Sequence, residues 1–148
     1  MFLQRYKSFG LFLRWVPALI WMTIIFLLSH QQGDELHSFL PLFQKWFPGM
    51  ISFNWGHIVA YFILSWVLLL GLGKNYNTFI GKVFVVSLCL LYGITDEIHQ
   101  SYIPGRTPEI LDLRNDTFGA ALGMVFISIP PFKHLYSKLL SSYIYRNC

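Results

Sequence analysis

The sequence predicts an all-α fold: a polytopic membrane protein built as a bundle of four transmembrane helices. Hydrophobic residues make up 55% of the chain and charged residues only 12%, about half the charged fraction of an ordinary soluble domain. Four apolar segments approach the length that crosses a bilayer, and they cover residues 11–29, 55–73, 79–98 and 110–132. The 148 residues suit one domain, residues 1–148, better than two.

The distribution of charge predicts the topology. Eight of the eleven basic residues precede the first span, flank the turn between the second and third, or follow the fourth; they are Arg5, Lys7, Arg14, Lys74, Lys82, Lys133, Lys138 and Arg146. These segments contain none of the seven acidic residues. By the positive-inside rule, both termini lie in the cytoplasm and the acids lie at the outer side of the cytoplasmic membrane. A nucleic-acid partner is therefore not expected, despite the net charge of +4.

The first span has an alternative interpretation as a signal peptide, because a basic start precedes it. Its apolar run is longer than the usual core of such a peptide, and no small-residue cleavage motif follows it. The two cysteines predict no disulfide, since Cys89 lies within a span and Cys148 at the cytoplasmic end.

The long outer connection between the first two spans contains an apolar stripe at helical spacing. Its members are Leu36, Phe39, Leu40, Phe43, Trp46 and Phe47. We predict a short amphipathic helix in the outer headgroup layer or folded over the bundle. An irregular loop with scattered aromatic residues is the alternative.

The last two spans are predicted to form a helical hairpin. Pro104 and Gly105 suit the central positions of a type II turn, where glycine accepts the positive φ. Thr107 is a candidate N-cap and Pro108 a candidate first helical residue. The fourth helix should then run to about Ile129 and end before the two prolines that follow it.

Polar residues converge at the predicted outer ends of these helices. At 100° per residue, one narrow arc of the third helix carries Cys89, Tyr92, Asp96, His99 and Gln100, and a similar arc of the fourth carries Asp112, Asn115, Asp116, Gly119 and Gly123. The second helix adds His57 and Tyr61, and the first ends at His30. Carboxylates inside a span are costly unless they are paired or wetted, which predicts a polar pocket. Gly119 and Gly123 form a small-xxx-small step that suits close helix packing below it.

This collection suggests acid–base or binding chemistry, although a simply solvated helix end is the alternative. His99 with Asp96 or Glu97 is the candidate acid–base pair. The candidate binding residues are His57, Tyr61, Gln100, Arg106, Asp112 and Asn115, and the candidate structural residues are Pro104, Gly105, Gly119 and Gly123. A zinc site built from His30, His57, His99 and a carboxylate was the alternative, but no HExxH motif or dense Cys/His spacing supports it. No metal or cofactor is therefore expected.

The motifs HIVAYF and YGITDEIHQSYIPGRTPEILDLRNDTFGAALG resemble the VanZ-like membrane protein family. The match is specific in D-E-x-H-Q, then G-R, then D-x-x-N-x-x-x-G-x-x-x-G, and SHQQG after the first span resembles the family's polar exit there. The family's polar and glycine signature falls on His57, Tyr61, Asp96, Glu97, His99, Gln100, Gly105, Arg106, Asp112, Asn115 and Gly119. Asp116 and Arg114 are less typical of the signature, and the resemblance places neither in a site.

The resemblance implies a bacterial cell-envelope protein associated with resistance to the glycopeptide teicoplanin. Together with the polar residues, it suggests an outward-facing pocket that engages an anionic membrane lipid, a lipid-linked cell-wall precursor or the antibiotic itself. An envelope enzyme acting on a lipid-linked substrate is the alternative, and a small transporter is a third class. The sequence leaves enzyme and binder both open.

Overall fold

In a computed structural model, the protein is described over residues 2–30, 45 and 54–146. The helices are α1 (Phe2–Ser29), α2 (Asn54–Leu72), α3 (Phe79–Gln100), α4 (Ile110–Phe126) and α5 (Pro130–Arg146), with a 3-10 turn at Lys74–Tyr76 between α2 and α3. Over those residues the structure is helical and contains no strand, as predicted. The predicted amphipathic segment between the first two spans lies outside the described residues, apart from Lys45.

Two helices are long and apolar enough to cross a membrane, namely Trp55–Leu72 of α2 and Phe79–Gln100 of α3. The pair α4–α5 satisfies the same criterion only as one span bent by 91°. The apolar part of α1, Leu13–Ser29, is shorter. The described chain therefore has two to three candidate spans, and it has the composition of a helical membrane protein.

The α4 boundaries differ from the prediction at both ends. The helix begins at Ile110 with Glu109 at the N-cap, because the Glu109 amide donates to Glu97 Oε2 of α3 at 2.8 Å; the predicted cap at Thr107 is wrong. It ends at Phe126 instead of near Ile129. Pro130 then opens a new helix, α5, since proline cannot continue a helix but fits its first turn.

The helix α2 lies at the centre of the described bundle and packs against α1, α3 and α4. Its Tyr61, Leu64 and Leu69 are fully buried. Aromatic side chains also bind carbonyl oxygens across the helix interfaces: Trp21 Nε1 donates to Ala60 O at 2.8 Å and Tyr92 OH to Met22 O at 2.6 Å. These hydrogen bonds connect α1 to α2 and α3 to α1, which holds the helix ends in register.

Close approach of α4 to α2 depends on glycine. A Cβ at Gly119 would collide with the backbone of Ile58, and one at Gly123 would collide with the Ser65 hydroxyl. Trp66 Nε1 donates to Gly123 O at 3.0 Å across the same interface. The helices α2 and α4 run in the same direction, so this contact places the polar residues near both N-termini side by side.

Candidate functional site

The polar residues of four helices meet at one end of the bundle. The chain alternates direction, so the C-terminal ends of α1 and α3 lie beside the N-terminal ends of α2 and α4. We call the group formed there the polar cluster; it consists of Ser29, His57, Tyr61, Asp96, Glu97, Gln100, Asp112 and Asp116. Asp116 and Tyr61 have no solvent exposure, and Asp96 and Gln100 are nearly as buried.

His57 joins α2 to α4 through two carboxylates. Its Nδ1 lies 2.9 Å from Asp116 Oδ1, and its Nε2 lies 3.7 Å from Asp112 Oδ2. The two aspartates are one helical turn apart on α4, so both reach the same ring. An ionised Asp116 would only accept hydrogen bonds, so this contact would then require the proton on His57 Nδ1. The His57 side chain keeps 19% of its exposure and Asp116 keeps none, which leaves Nε2 and Asp112 as the accessible side of the pair.

Asp96 joins α1 to α3. Its Oδ2 accepts hydrogen bonds from Ser29 Oγ at 2.8 Å and from Gln100 Nε2 at 3.1 Å. The Gln100 bond spans one turn of α3, while the Ser29 bond crosses between helices. Two donors on one carboxylate oxygen hold that side chain in a single orientation inside the bundle.

Glu97 joins α3 to the start of α4 through the Glu109 amide described above. The turn between them has the predicted geometry: Arg106 N donates to Ile103 O at 3.1 Å, and Gly105 has φ +77°. Pro104 precedes Gly105 at the tip of the turn, and Arg106 emerges from it half-buried. The turn therefore places Arg106 between α3 and α4 at the polar end of the bundle.

Each carboxylate of the polar cluster has one oxygen without a donor among the described residues. Within the polar cluster, five buried oxygens have no partner among the described residues: Asp96 Oδ1, Glu97 Oε1, Asp112 Oδ1, Asp116 Oδ2 and Tyr61 OH. Buried polar atoms normally have hydrogen-bond partners, so a group of five such oxygens requires an explanation. This end of the bundle is therefore rich in acceptors. In Asp96, Glu97 and Asp116 the second carboxylate oxygen is hydrogen-bonded, which holds the side chain in position.

Gly93 makes room for two of these oxygens. A Cβ at this position of α3 would lie 2.9 Å from Asp116 Oδ2 and 3.5 Å from Tyr61 OH. The glycine thus lets α4 bring its buried carboxylate against α3 while Tyr61 approaches from α2. Three helices meet at this point.

His99 contacts α1. Its Nε2 lies 3.3 Å from His30 Nδ1, and its ring stacks on Phe26 at a centroid distance of 4.2 Å. Asn115 is half-buried, and its amide oxygen accepts from Arg114 at 3.5 Å. Among the described residues, no group of three or more His, Cys, Asp and Glu side chains has an arrangement that would hold a metal ion.

An open apolar depression adjoins the polar cluster between α3 and α4. Its volume is about 270 Å³, and its lining residues are Ile94, Glu97, Ile98, Ser101, Pro108, Glu109, Ile110 and Leu113. Almost all of the exposed lining is apolar. Glu97 belongs to both features, so an apolar surface and a layer of acceptors lie side by side.

Residues 12–131 match the VanZ/LLP1 family. This chain belongs to the VanZ/LLP1 family. The match begins at residue 12 within α1, covers α2 to α4 and ends at the second proline of α5. Neither the curated proteins nor the solved structures contain a match to this chain.

The structure brings together most of the residues that the sequence predicts for the site, and it places three further residues beside them. His57, Tyr61, Asp96, Glu97, Gln100 and Asp112 lie in the polar cluster, with Arg106 at its edge. Ser29, Gly93 and Asp116 were not selected. Asp116 lies on the predicted polar arc of α4, and that position was the signal that pointed to it; its atypical place in the family signature led to its omission.

Proposed function

We propose that this VanZ/LLP1 protein crosses the bacterial cytoplasmic membrane with α1 to α4 and has both termini in the cytoplasm. The charges support this arrangement: the acids of the polar cluster lie at one end, while Lys74, Lys82 and Lys133 lie toward the other. Opposite charge at the two ends is the pattern of the positive-inside rule, and it directs the polar cluster outward. The apolar part of α1 and the helix α4 each have 17 residues, about 25 Å at 1.5 Å per residue.

The polar cluster in this proposal engages the headgroup of an anionic lipid or a lipid-linked cell-wall precursor. The observation that carries this function is the layer of four carboxylates, each with one oxygen that has no donor among the described residues. The other oxygen is hydrogen-bonded in Asp96, Glu97 and Asp116, and in Asp112 it lies 3.7 Å from His57 Nε2. Such acceptors suit a headgroup rich in hydroxyl or ammonium donors. Arg106 at the edge supplies the group that binds a phosphate best, because its planar fork matches two phosphate oxygens.

The apolar depression supports an amphiphilic ligand. It shares Glu97 with the polar cluster, so a molecule with its headgroup on the acceptors would direct its chain along Ile98 and Leu113. A free sugar has no apolar chain for that surface. This continuity favours a lipid or lipid-linked precursor over a soluble ligand, and teicoplanin, which the family resemblance suggests, remains an amphiphilic candidate.

A binding experiment tests this function directly. The purified protein in lipid nanodiscs would be titrated with a lipid-linked cell-wall precursor and, separately, with phosphatidylglycerol, and the bound species measured by native mass spectrometry. We expect Asp112→Asn to weaken binding at least tenfold, because Asp112 is the accessible carboxylate of the His57 pair. Thr117→Val is the control: its hydroxyl bonds to the carbonyl oxygen of Leu113 in the same helix. Equal binding by all three proteins would refute the proposal.

Cells provide a second test of the same function. Wild type and Asp112→Asn would be expressed at equal membrane levels, and their susceptibility to teicoplanin measured. Reduced susceptibility with the wild type alone would connect the polar cluster to the glycopeptide. The same susceptibility in both strains would mean that teicoplanin resistance does not depend on Asp112 of the polar cluster.

An acid–base enzyme is a second candidate function, and the His57–Asp116 pair favours it. A buried carboxylate that fixes one imidazole nitrogen leaves the other free to exchange a proton with a substrate. The predicted pairing of His99 with Asp96 or Glu97 stays a hypothesis, and His99 Nε2 faces His30 in the structure. Mass-spectrometric profiles of lipid-linked precursors discriminate the two functions: an enzyme changes a species in wild-type cells and not in His57→Gln cells, whereas a binder changes none.

A further inference from the structure

The helix α5 leaves α4 at nearly a right angle. The two helices are bent by 91° across the break at Ile127–Ile129, and Pro130 begins the new helix. If α4 crosses the membrane, α5 must run close to the membrane plane at the end opposite to the polar cluster. Almost all of α5 lies beyond residue 131, where the family match ends.

Aromatic contacts fix which side of α5 faces the bundle. Tyr136 is only 7% exposed, and its hydroxyl donates to Trp66 O at 3.4 Å. The ring of Phe132 packs on Phe126 with a centroid distance of 3.9 Å. These contacts hold the helix against Trp66 of α2 and the C-terminal end of α4, so its remaining sides have defined orientations.

The remaining sides separate into an apolar and a polar surface. Leu135 and Leu139, one turn apart, are 54% and 57% exposed. A polar stripe lies about 100° around the helix from them and consists of the exposed residues His134, Lys138 and Ser141. A helix that carries both surfaces while lying in the membrane plane is typical of interfacial membrane helices.

The charge of this surface is uniformly positive. Lys133 and Lys138 are exposed, and the segment 127–146 contains no acidic residue. Lys82 of α3 adds a third ammonium at the bend, where its Nζ donates to Ser128 Oγ at 2.6 Å. Anionic lipids attract such lysines near a membrane surface.

We propose that α5 is an interfacial helix that binds the anionic phospholipids of the cytoplasmic leaflet. Leu135 and Leu139 enter the acyl boundary, and Lys133 and Lys138 contact the lipid phosphates. An acidic protein would also attract the lysines, but the exposed leucine pair beside them on a helix parallel to the membrane favours lipid. This surface is distinct from the polar cluster and takes its ligand at the opposite face of the bilayer.

Depth measurements test the orientation of α5. Nitroxide labels would be placed on Leu139→Cys and His134→Cys in the full chain with Cys148→Ser, leaving the buried Cys89 in place. In nanodiscs with phosphatidylglycerol, we expect the label at 139 to be relaxed by dissolved oxygen and the label at 134 by an aqueous nickel chelate. Strong relaxation of both labels by the nickel chelate would overturn the proposal and leave the leucine face for a protein partner.

Lipid selectivity tests the charge. Spin-labelled phosphatidylglycerol and phosphatidylcholine would be compared at the protein surface for the wild type, Lys138→Gln and the control Ser141→Ala, which changes an exposed residue of the same polar stripe without removing a charge. Each lysine near an anionic surface is worth roughly fivefold in binding. We expect Lys138→Gln to lower the preference for phosphatidylglycerol by about that factor and Ser141→Ala to leave it unchanged. Equal effects of the two variants, or no effect of either, would refute the assignment.

Discussion

The pair α2–α4 is held together differently in its two halves. Near the helix N-termini, a histidine and two carboxylates bridge the helices, and one oxygen of each carboxylate has no donor among the described residues. Farther along, Gly119 and Gly123 bring the backbones into contact, and Trp66 donates to the Gly123 carbonyl oxygen. The second half contributes close backbone packing, and the first half contributes the charged and polar contacts that this packing holds in place.

The contrast teaches where stability and function lie in this protein. Buried ion pairs return little net stability, because desolvation offsets their attraction, although breaking one is costly. Close helix packing has no such offset in lipid, where small residues drive helix association. Substitutions in the glycine half should therefore unfold the protein, while those in the polar half should impair binding more than folding.

The largest effect is expected at Gly119. A Cβ there would meet the backbone of Ile58, which cannot move aside as a flexible side chain would, so Gly119→Ala should lower the free energy of unfolding by about 2–3 kcal/mol. Denaturant titration in detergent micelles measures this change. Gly56→Ala is the matched control, since a Cβ at Gly56 meets nothing within 4 Å; equal loss in both variants would contradict the close-approach argument.

Asp116→Ala should have the next largest effect on the free energy of unfolding, and it should weaken ligand binding more than Gly119→Ala does. Its removal leaves His57 Nδ1 without its acceptor at a half-buried site, which should cost about 1–3 kcal/mol, and it should abolish precursor binding in nanodiscs. Arg114→Ala, two positions away on an exposed face, should change both by little. If Asp116→Ala kept wild-type binding, the polar half would be structural only.

A smaller effect is expected at Ser29, whose hydroxyl donates to the buried Asp96 carboxylate. Ser29→Ala should lower the free energy of unfolding by about 1 kcal/mol, measured by the same titration. Ser87→Ala is the control. The Ser87 hydroxyl is exposed and donates to Val83 O in the same helix, so its removal should not lower the free energy of unfolding comparably. Matching losses at both serines would show that the bond between α1 and α3 is energetically silent.

The smallest effect is expected at the bend between α4 and α5. Ser128→Ala removes the acceptor of Lys82 Nζ, but this pair is exposed and the lysine has other polar partners in water. The free energy of unfolding should change by less than about 0.5 kcal/mol. A loss as large as that of Ser29→Ala would mean that the bend contributes as much stability as the polar end.

The positions of the helices could be predicted from the apolar runs in the sequence, but some of their ends could not. The apolar runs predicted α2 and α3 to within two residues, because a mainly apolar segment of bilayer-spanning length leaves few alternatives. The prediction missed residues 2–10 of α1, where Arg5 and Lys7 interrupt the apolar run. It also joined α4 to the residues after it, since the chain sequence does not show that the backbone turns by 91° at Ile127–Ile129.

The candidate site residues were likewise predictable in part: their helix faces followed from spacing, and their partners did not. The 3.6-residue period placed His57, Asp96, Gln100 and Asp112 on facing arcs, and the charge distribution placed those arcs at one end of the protein. Asp116 was on the correct arc but was set aside. Neither the burial of this carboxylate against Gly93 nor its bond to His57 can be read from spacing along one helix.

The sequence by itself determined that this is a helical membrane-type chain, which faces of its helices are polar, and that these faces converge at one end. Periodicity and apolar length are properties of single helices, so they can be read without neighbours. The tertiary structure decided which histidine pairs with which carboxylate, which oxygens lack a donor among the described residues, and where α5 turns away. Those outcomes depend on how each helix is rotated and shifted along its axis relative to its neighbours. The glycine contacts between α2 and α4 fix this arrangement by packing residues that are distant in the sequence.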